Sequence, residues 1–286
     1  MARFARRRVK TGEAGTKRPW RSRLRNRKDA AAARRAGAVP ETAAETFPAR
    51  PHKGIYLLPN AFTTAALFSG FFAIVQAMNL RFDAAAIAIF VSMVLDSLDG
   101  RVARLTNTQS EFGAEYDSLA DMVSFGAAPA LVIYEWSLRG LGKWGWVAAF
   151  VYVAGAALRL ARFNTNHATV EKNFFQGLPS PASAALVAGF VWVFEDLRYV
   201  GSDLAWPSWF VTVFAGLSMV SNSPFYSGKK INFRKSVPFI VVVAIMLGFV
   251  AVSSDPPKWL FAMFVAYGLS GHLLWAWRRL KGRSGP

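Results

Sequence analysis

The chain has no cysteine, which excludes disulfides and thiolate-held metals. Histidine is scarce. His52, His167 and His272 lie too far apart for the clustered ligand spacing of a zinc site, so each reads as a polar or interfacial residue. Acids are few too, with 17 Asp and Glu against 34 Lys and Arg. The N-terminal stretch holds no apolar run, so no signal-peptide core is expected there. What is plentiful is apolar: 53% of the 286 residues are hydrophobic, with 24 Phe and 10 Trp. Gathered into long runs, such residues point to a bilayer rather than to a soluble core.

The net charge of +17 is unevenly placed. Residues 1–53 carry 16 basic and four acidic side chains, a net +12, which leaves +5 for the other 233 residues. Rich in Ala, Gly, Thr and Pro, this segment is expected to be disordered. As a cytoplasmic tail it would lie on anionic headgroups, where each Lys or Arg contributes about 1 kcal/mol. An Arg-rich, acid-poor start is also compatible with a mitochondrial transit peptide. Nucleic acid is not expected as a partner, because aromatics such as Phe4 and Trp20 are too sparse to stack bases.

Eight apolar runs have the length or composition of spanning helices. They cover about 56–78, 83–104, 113–136, 144–163, 181–197, 208–221, 237–253 and 259–277. The fold class expected is therefore all-α, a polytopic membrane helix bundle. With the N-terminus cytoplasmic, thirteen loop cations beyond the tail, Arg101, Arg104, Arg159 and Arg162 among them, fall on the inner side. Only Arg81, Arg139, Lys143, Arg198 and Lys258 fall outside, as the positive-inside rule requires. Trp144, Trp146, Trp206, Trp209, Trp259, Trp275 and Trp277 sit near predicted helix ends, like an interfacial belt.

Four aspartates interrupt this apolar pattern. Asp96 and Asp99 are three residues apart at the cytoplasmic end of the second span, and Asp117 and Asp121 are four apart in the third. On helices each pair shares one face. Carboxylates at membrane depth are costly and rare unless they work. Two such faces opposed would repel each other unless a cation lay between them, and hard divalent cations take oxygen ligands. Gly100 removes a side chain where a ligand could approach the backbone. Ala103 keeps the next turn slim, and Arg104 supplies a positive charge suited to phosphate. Acids, a divalent metal and Arg together suit phosphoryl chemistry. The competing class is a cation transporter using the same acids, although no internal repeat accompanies them.

The run Asp96-x2-Asp99-Gly100-x2-Ala103-Arg104-x8-Gly113-x3-Asp117-x3-Asp121 resembles the signature of the CDP-alcohol phosphotransferase family at all eight fixed positions. The resemblance implies an integral membrane enzyme that uses Mg²⁺ or Mn²⁺ to displace CMP from a CDP-linked donor with an alcohol. It implies that Asp96, Asp99, Asp117 and Asp121 surround the metal and that Asp121 accepts the proton of the incoming hydroxyl. Gly100, Arg104 and Ser110 would touch the CDP-lipid. Pro59-Asn60-Ala61-Phe62-Thr63 is similar to a further family element, which would add Asn60 and Thr63 to the donor site. The expected organisation is a tail over 1–53, a six-helix catalytic core over 54–222, and a C-terminal helix pair with a short basic tail over 223–286.

Flanking segments resemble the phosphatidylserine synthase branch of that family, which joins CDP-diacylglycerol to L-serine. They are 110–130, Ala157-Leu158-Arg159-Leu160-Ala161-Arg162-Phe163-Asn164 and Phe175-Gln176-Gly177-Leu178-Pro179-Ser180-Pro181. Serine is a zwitterion, and its carboxylate wants a cation. Arg159 and Arg162 are candidates, with Asn164 and Ser124 as polar contacts, although both arginines would equally serve as positive-inside anchors. Glycerol phosphate, inositol phosphate and choline stay open as acceptors. Gly70, Gly126, Gly155 and Gly189 predict close helix packing, either within one protomer or in the homodimer that the resemblance implies. The expected setting is the cytoplasmic membrane of a bacterium, with the active site facing the cytoplasm.

Overall fold

A computed structural model describes residues 57–106, 110–165, 174–226 and 239–281. The basic segment 1–53, with His52, and His167 lie outside them, as do the loop cations Lys172, Lys229, Lys230, Arg234, Lys235 and Arg283.

Eight helical rods are present among the described residues, one for each apolar run. They are α1 (Leu57–Met78), α2 (Phe82–Leu105), a composite third rod, α5 (Lys143–Thr165), α6 (Ser180–Asp196), α7 (Ala205–Val220), α8 (Phe239–Ser254) and α9 (Pro256–Leu280). The third rod is α3 (Glu111–Asp121), one wide π-helical turn at Met122–Ala127, and α4 (Ala128–Trp136). Four helical stretches, Pro59–Met78, Lys143–Thr165, Gly201–Val220 and Pro256–Leu280, are long and apolar enough to cross a membrane. The other rods miss that standard for plain reasons. Asp96, Asp99, Arg101 and Arg104 charge the end of α2, the third rod is divided, and α6 and α8 have only 17 and 16 residues. The protein is an all-α integral membrane bundle.

Helix α6 lies at the centre, packed by α2, α4, α7 and α9. Its small residues Ala182, Ser183, Ala184, Ala185, Ala188 and Gly189 are all buried, as suits a helix enclosed on every side. Helix α8 is the opposite case, with Ile240 71% and Phe249 73% exposed. Such surface is stable only against lipid or another apolar partner.

The glycines are used for close approach inside the protomer. A Cβ on Gly155 would lie 2.4 Å from the Gly216 carbonyl oxygen, and one on Gly70 would lie 2.5 Å from Ser124 Oγ. Gly126 meets Met122 and Ala156, and Gly189 meets Phe261. All four glycines singled out in the sequence therefore pack α1, α5, α6 and the π turn against neighbours in the same chain.

Serine hydroxyls tie the first three rods together at one point. Ser92 of α2 and Ser124 of the π turn both donate to the Ala66 carbonyl of α1, at 2.8 and 3.2 Å. Ser69 of α1 returns a bond to the Ala88 carbonyl at 2.8 Å.

A short antiparallel ribbon, β1 (Phe174–Gln176) with β2 (Pro224–Tyr226), was not foreseen from the apolar runs. It opposes Phe175 to Phe225 and joins the entry of α6 to the exit of α7.

The π turn has a local cause. Pro129 has no N–H, so the Phe125 carbonyl four residues before it loses its helical donor. The Ala128 amide reaches back to Val123, one residue further than an α-helix would. The buried Tyr152 hydroxyl of α5 then donates to the Phe125 carbonyl at 3.0 Å. Replacing Tyr152 by Phe should leave that carbonyl unsatisfied and cost about 1–3 kcal/mol. Thermal unfolding of the detergent-solubilised protein measures this, and an unchanged midpoint would show that the bond does not stabilise the turn.

Candidate active site and metal centre

The aspartates meet where α2 and α3 converge on the start of α1. Asp96 and Asp99 stand one turn apart on α2 and Asp117 one turn before Asp121 on α3. Oxygens of Asp96, Asp99 and Asp117 all lie within 4.8 Å of one another. Three ionised carboxylates at that 4.8 Å spacing repel by roughly 3 kcal/mol per pair in an effective dielectric near ~20. The set is hard oxygen only, which suits Mg²⁺ or Mn²⁺. At the bond lengths of such an ion, about 2.1 Å, neighbouring ligands stand about 3.0 Å apart, so the triad would draw in on binding. The residues fit a divalent cation.

Asp121 is not one of that trio. Its carboxyl lies beside that of Asp96 and near Asp117 and Arg159. All four acids expected around one point thus lie together, with Asp121 at the edge of the cluster nearest Arg159 of α5.

Local structure explains the loop that presents the second pair. Ser110 caps α3, its hydroxyl accepting the Gly113 amide at 3.0 Å. A Cβ on Gly113 would lie 3.1 Å from Ser110 Oγ and 3.4 Å from Asn60 Oδ1. The signature glycine therefore lets α3 close on α1. Tyr116 and Thr64 hydroxyls seal the same contact at 3.0 Å.

The residues expected at the donor differ in placement. Gly100 is exposed, and a Cβ there would meet nothing within 4 Å. The neighbouring Arg104 is exposed and folds back so that Nε donates to the Gly100 carbonyl at 2.8 Å. Asn60 faces the cap at Gly113. Thr63 is buried and its hydroxyl lies 2.9 Å from Asp99 Oδ2. It reaches the site by holding a carboxylate, a role that sequence spacing did not reveal.

On the acceptor side the structure brings three of four residues to the same end of the bundle. Arg159 Nη1 donates to Ser180 Oγ at 2.7 Å. Its Nε is buried and has no hydrogen-bond partner among the described residues. Arg162 Nη1 approaches Asn222 Oδ1 at 3.3 Å, and Asn164 Nδ2 approaches Ser118 Oγ at 3.2 Å, next to Asp117. Ser124, the fourth, is 1% exposed and its hydroxyl donates to the Ala66 carbonyl in the packing of α1 against the π turn. Ser180 was missed as a site residue, though it lies in the Pro179-Ser180-Pro181 segment quoted above.

A carboxylate triad able to hold a hard cation, at the end of a membrane bundle and beside the half-buried guanidinium of Arg159, points to a class: membrane enzymes that handle phosphate esters. Residues 56–216 match the family described as CDP-alcohol phosphatidyltransferase, and the chain belongs to that family. A CDP-diacylglycerol–serine O-phosphatidyltransferase of Helicobacter pylori is 35% identical over 231 residues, covering 81% of this chain and 96% of the relative. A protein of the same name from Mycobacterium tuberculosis is 41% identical over 151 residues, 50% of this chain and 52% of the relative. One from Saccharomyces cerevisiae is 39% identical over 139 residues, 44% and 50% of the two chains.

Thr63→Val should unfix Asp99 and weaken Mn²⁺ binding roughly tenfold, while Asp117→Asn should abolish it. Titration of the purified protein followed by the Mn²⁺ resonance signal measures both. Full Mn²⁺ affinity in Asp117→Asn would remove that residue from the cation site.

Proposed function

We propose that the protein transfers the phosphatidyl group of CDP-diacylglycerol to the hydroxyl of L-serine, giving phosphatidylserine and CMP. The observation that carries this reading is the cluster of acids: Asp96, Asp99 and Asp117 within 4.8 Å of one another, with Asp121 beside Asp96 and near Arg159. The names of the relatives, above all the H. pylori enzyme matched over nearly its full length, support serine as acceptor.

Asp96, Asp99 and Asp117 would hold a Mg²⁺ or Mn²⁺ ion, which when bound would supply neutralising charge for the donor's phosphates and the departing CMP. Asp121 takes the proton of the serine hydroxyl as its oxygen attacks. The new bond joins that oxygen to the phosphorus bearing diacylglycerol, and the bond from the same phosphorus to the CMP oxygen breaks. Gly100 leaves backbone room for the donor, Arg104 meets a phosphate, and Asn60 and Ser110 shape the adjoining cap. Arg159 anchors the serine carboxylate with its half-buried guanidinium, a charge pair that low dielectric strengthens. Arg162 and Asn164 border that anchor.

The catalytic core occupies 54–222, with 223–286 as an added helix pair; the family match ending at 216 supports that division. The site end of the bundle faces the cytoplasm of a bacterium, where serine and CMP are soluble, in keeping with the cation bias of those loops. A homodimer is the assembly implied by the family resemblance.

Purified protein with Mg²⁺ or Mn²⁺ should release CMP from CDP-diacylglycerol only when serine is present, and a chelator should stop it. Faster release with glycerol phosphate or inositol phosphate would reject serine. Asp121→Asn should lower turnover by roughly 10²–10⁴-fold, with Mn²⁺ binding retained. Wild-type turnover in that variant would take the base role from Asp121. Arg159→Lys should raise the KM for serine by about tenfold or more, since a bidentate anchor becomes a point charge.

A further inference from the structure

The C-terminal helix, outside the family match, is tied to the acceptor side of the site through a short chain of bonds. His272 of α9 is held at both ring nitrogens. Nε2 lies 2.8 Å from Ser218 Oγ and Nδ1 lies 3.1 Å from Ser223 Oγ. The ring sits against Phe214 and Phe225, with centroids at 5.3 and 5.8 Å. Gly271 beside it admits Phe225, because a Cβ there would lie 2.4 Å from the ring.

The same two serines carry a second set of bonds. The Ser223 carbonyl accepts the Gly177 amide at 3.0 Å, and the Ser218 carbonyl accepts the Leu178 amide at 2.9 Å. Gly177 has φ of +79°, and a Cβ there would lie 2.3 Å from the Met219 carbonyl oxygen. This strap is therefore pressed against the end of α7 with no slack. Two residues beyond Leu178 comes Ser180, whose hydroxyl accepts Arg159 Nη1.

We propose that His272 is a positioning residue for the acceptor. By clamping Ser218 and Ser223 it fixes the strap 177–180, and through Ser180 it sets the guanidinium of Arg159. A neutral imidazole offers one donor and one acceptor, and each serine hydroxyl can take the complementary role. A phenyl ring would fill the same space and make neither bond. The inference rests on the reading of Arg159 as the anchor for the serine carboxylate.

Steady-state kinetics of the purified full-length protein in mixed micelles test it, varying each substrate in turn. His272→Phe should raise the serine KM by about tenfold and leave the KM for CDP-diacylglycerol unchanged. His272→Gln, which keeps a donor and an acceptor, should recover most of the loss. Ser223→Ala, a smaller change to the same clamp, should move the serine KM in the same direction and serves where His272→Phe does not fold. Arg159→Lys is measured alongside. If Arg159→Lys raises the serine KM while His272→Phe and Ser223→Ala leave it unchanged, the positioning role is overturned and the Arg159 anchor stands. If Arg159→Lys leaves the serine KM unchanged, the anchor itself falls and the role of His272 with it. A parallel rise in both KM values with His272→Phe and Ser223→Ala would show a general loss of structure and overturn the inference.

Discussion

Like charges at close range must be held together by something other than themselves. Asp96, Asp99 and Asp117 come from two helices that their own repulsion would part. What holds those helices is a neutral junction deeper in the bundle. One carbonyl, that of Ala66, receives hydroxyls from α2 and from the π turn. Gly70 lets α1 come close enough to Ser124 for that contact. The Thr63 hydroxyl then orients one member of the triad. The scaffold is rigid where the charges are not self-supporting, and a bound cation would complete what the junction prepares.

The two sides of the site are built differently. The triad rests on α1, α2 and the short α3, which follow one another in sequence, α2 and α3 both packing on α1. The acceptor side rests on single polar contacts between distant segments, such as Arg159 with Ser180 and Asn164 with Ser118. On the proposed function, binding of the cation and phosphates would fall to the helix-packed part, and recognition of the incoming alcohol to short connections that can differ among members of one fold.

Much of this was legible in the chain. Apolar runs marked all eight rods, since a bilayer demands continuous hydrophobic length. The spacing of the aspartates put each pair on one face, because helical period fixes it. Other features were hidden. The distances among the four acids depend on how two helices meet, which spacing within each helix cannot state. Thr63 and Asp99 are 36 residues apart, and nothing local pairs them. The bond from Ser124 to the Ala66 carbonyl joins residues 58 positions apart, and a serine beside an acidic signature is polar wherever it points. The ribbon joins two three-residue segments some fifty positions apart, too short for any alternation to show.

The wide turn at Met122–Ala127 also constrains chain length. Each residue of a helix advances the face by about 100°. Loss of a single position here would swing Pro129, Val132 and Ile133, now buried, around the rod toward the hydrocarbon, while the acids before the turn stayed where they are. Insertions and deletions should thus be barred from this stretch even where substitutions are accepted, so that the interval between Asp121 and Pro129 acts as a fixed phase linking the reactive end of the rod to its anchored half.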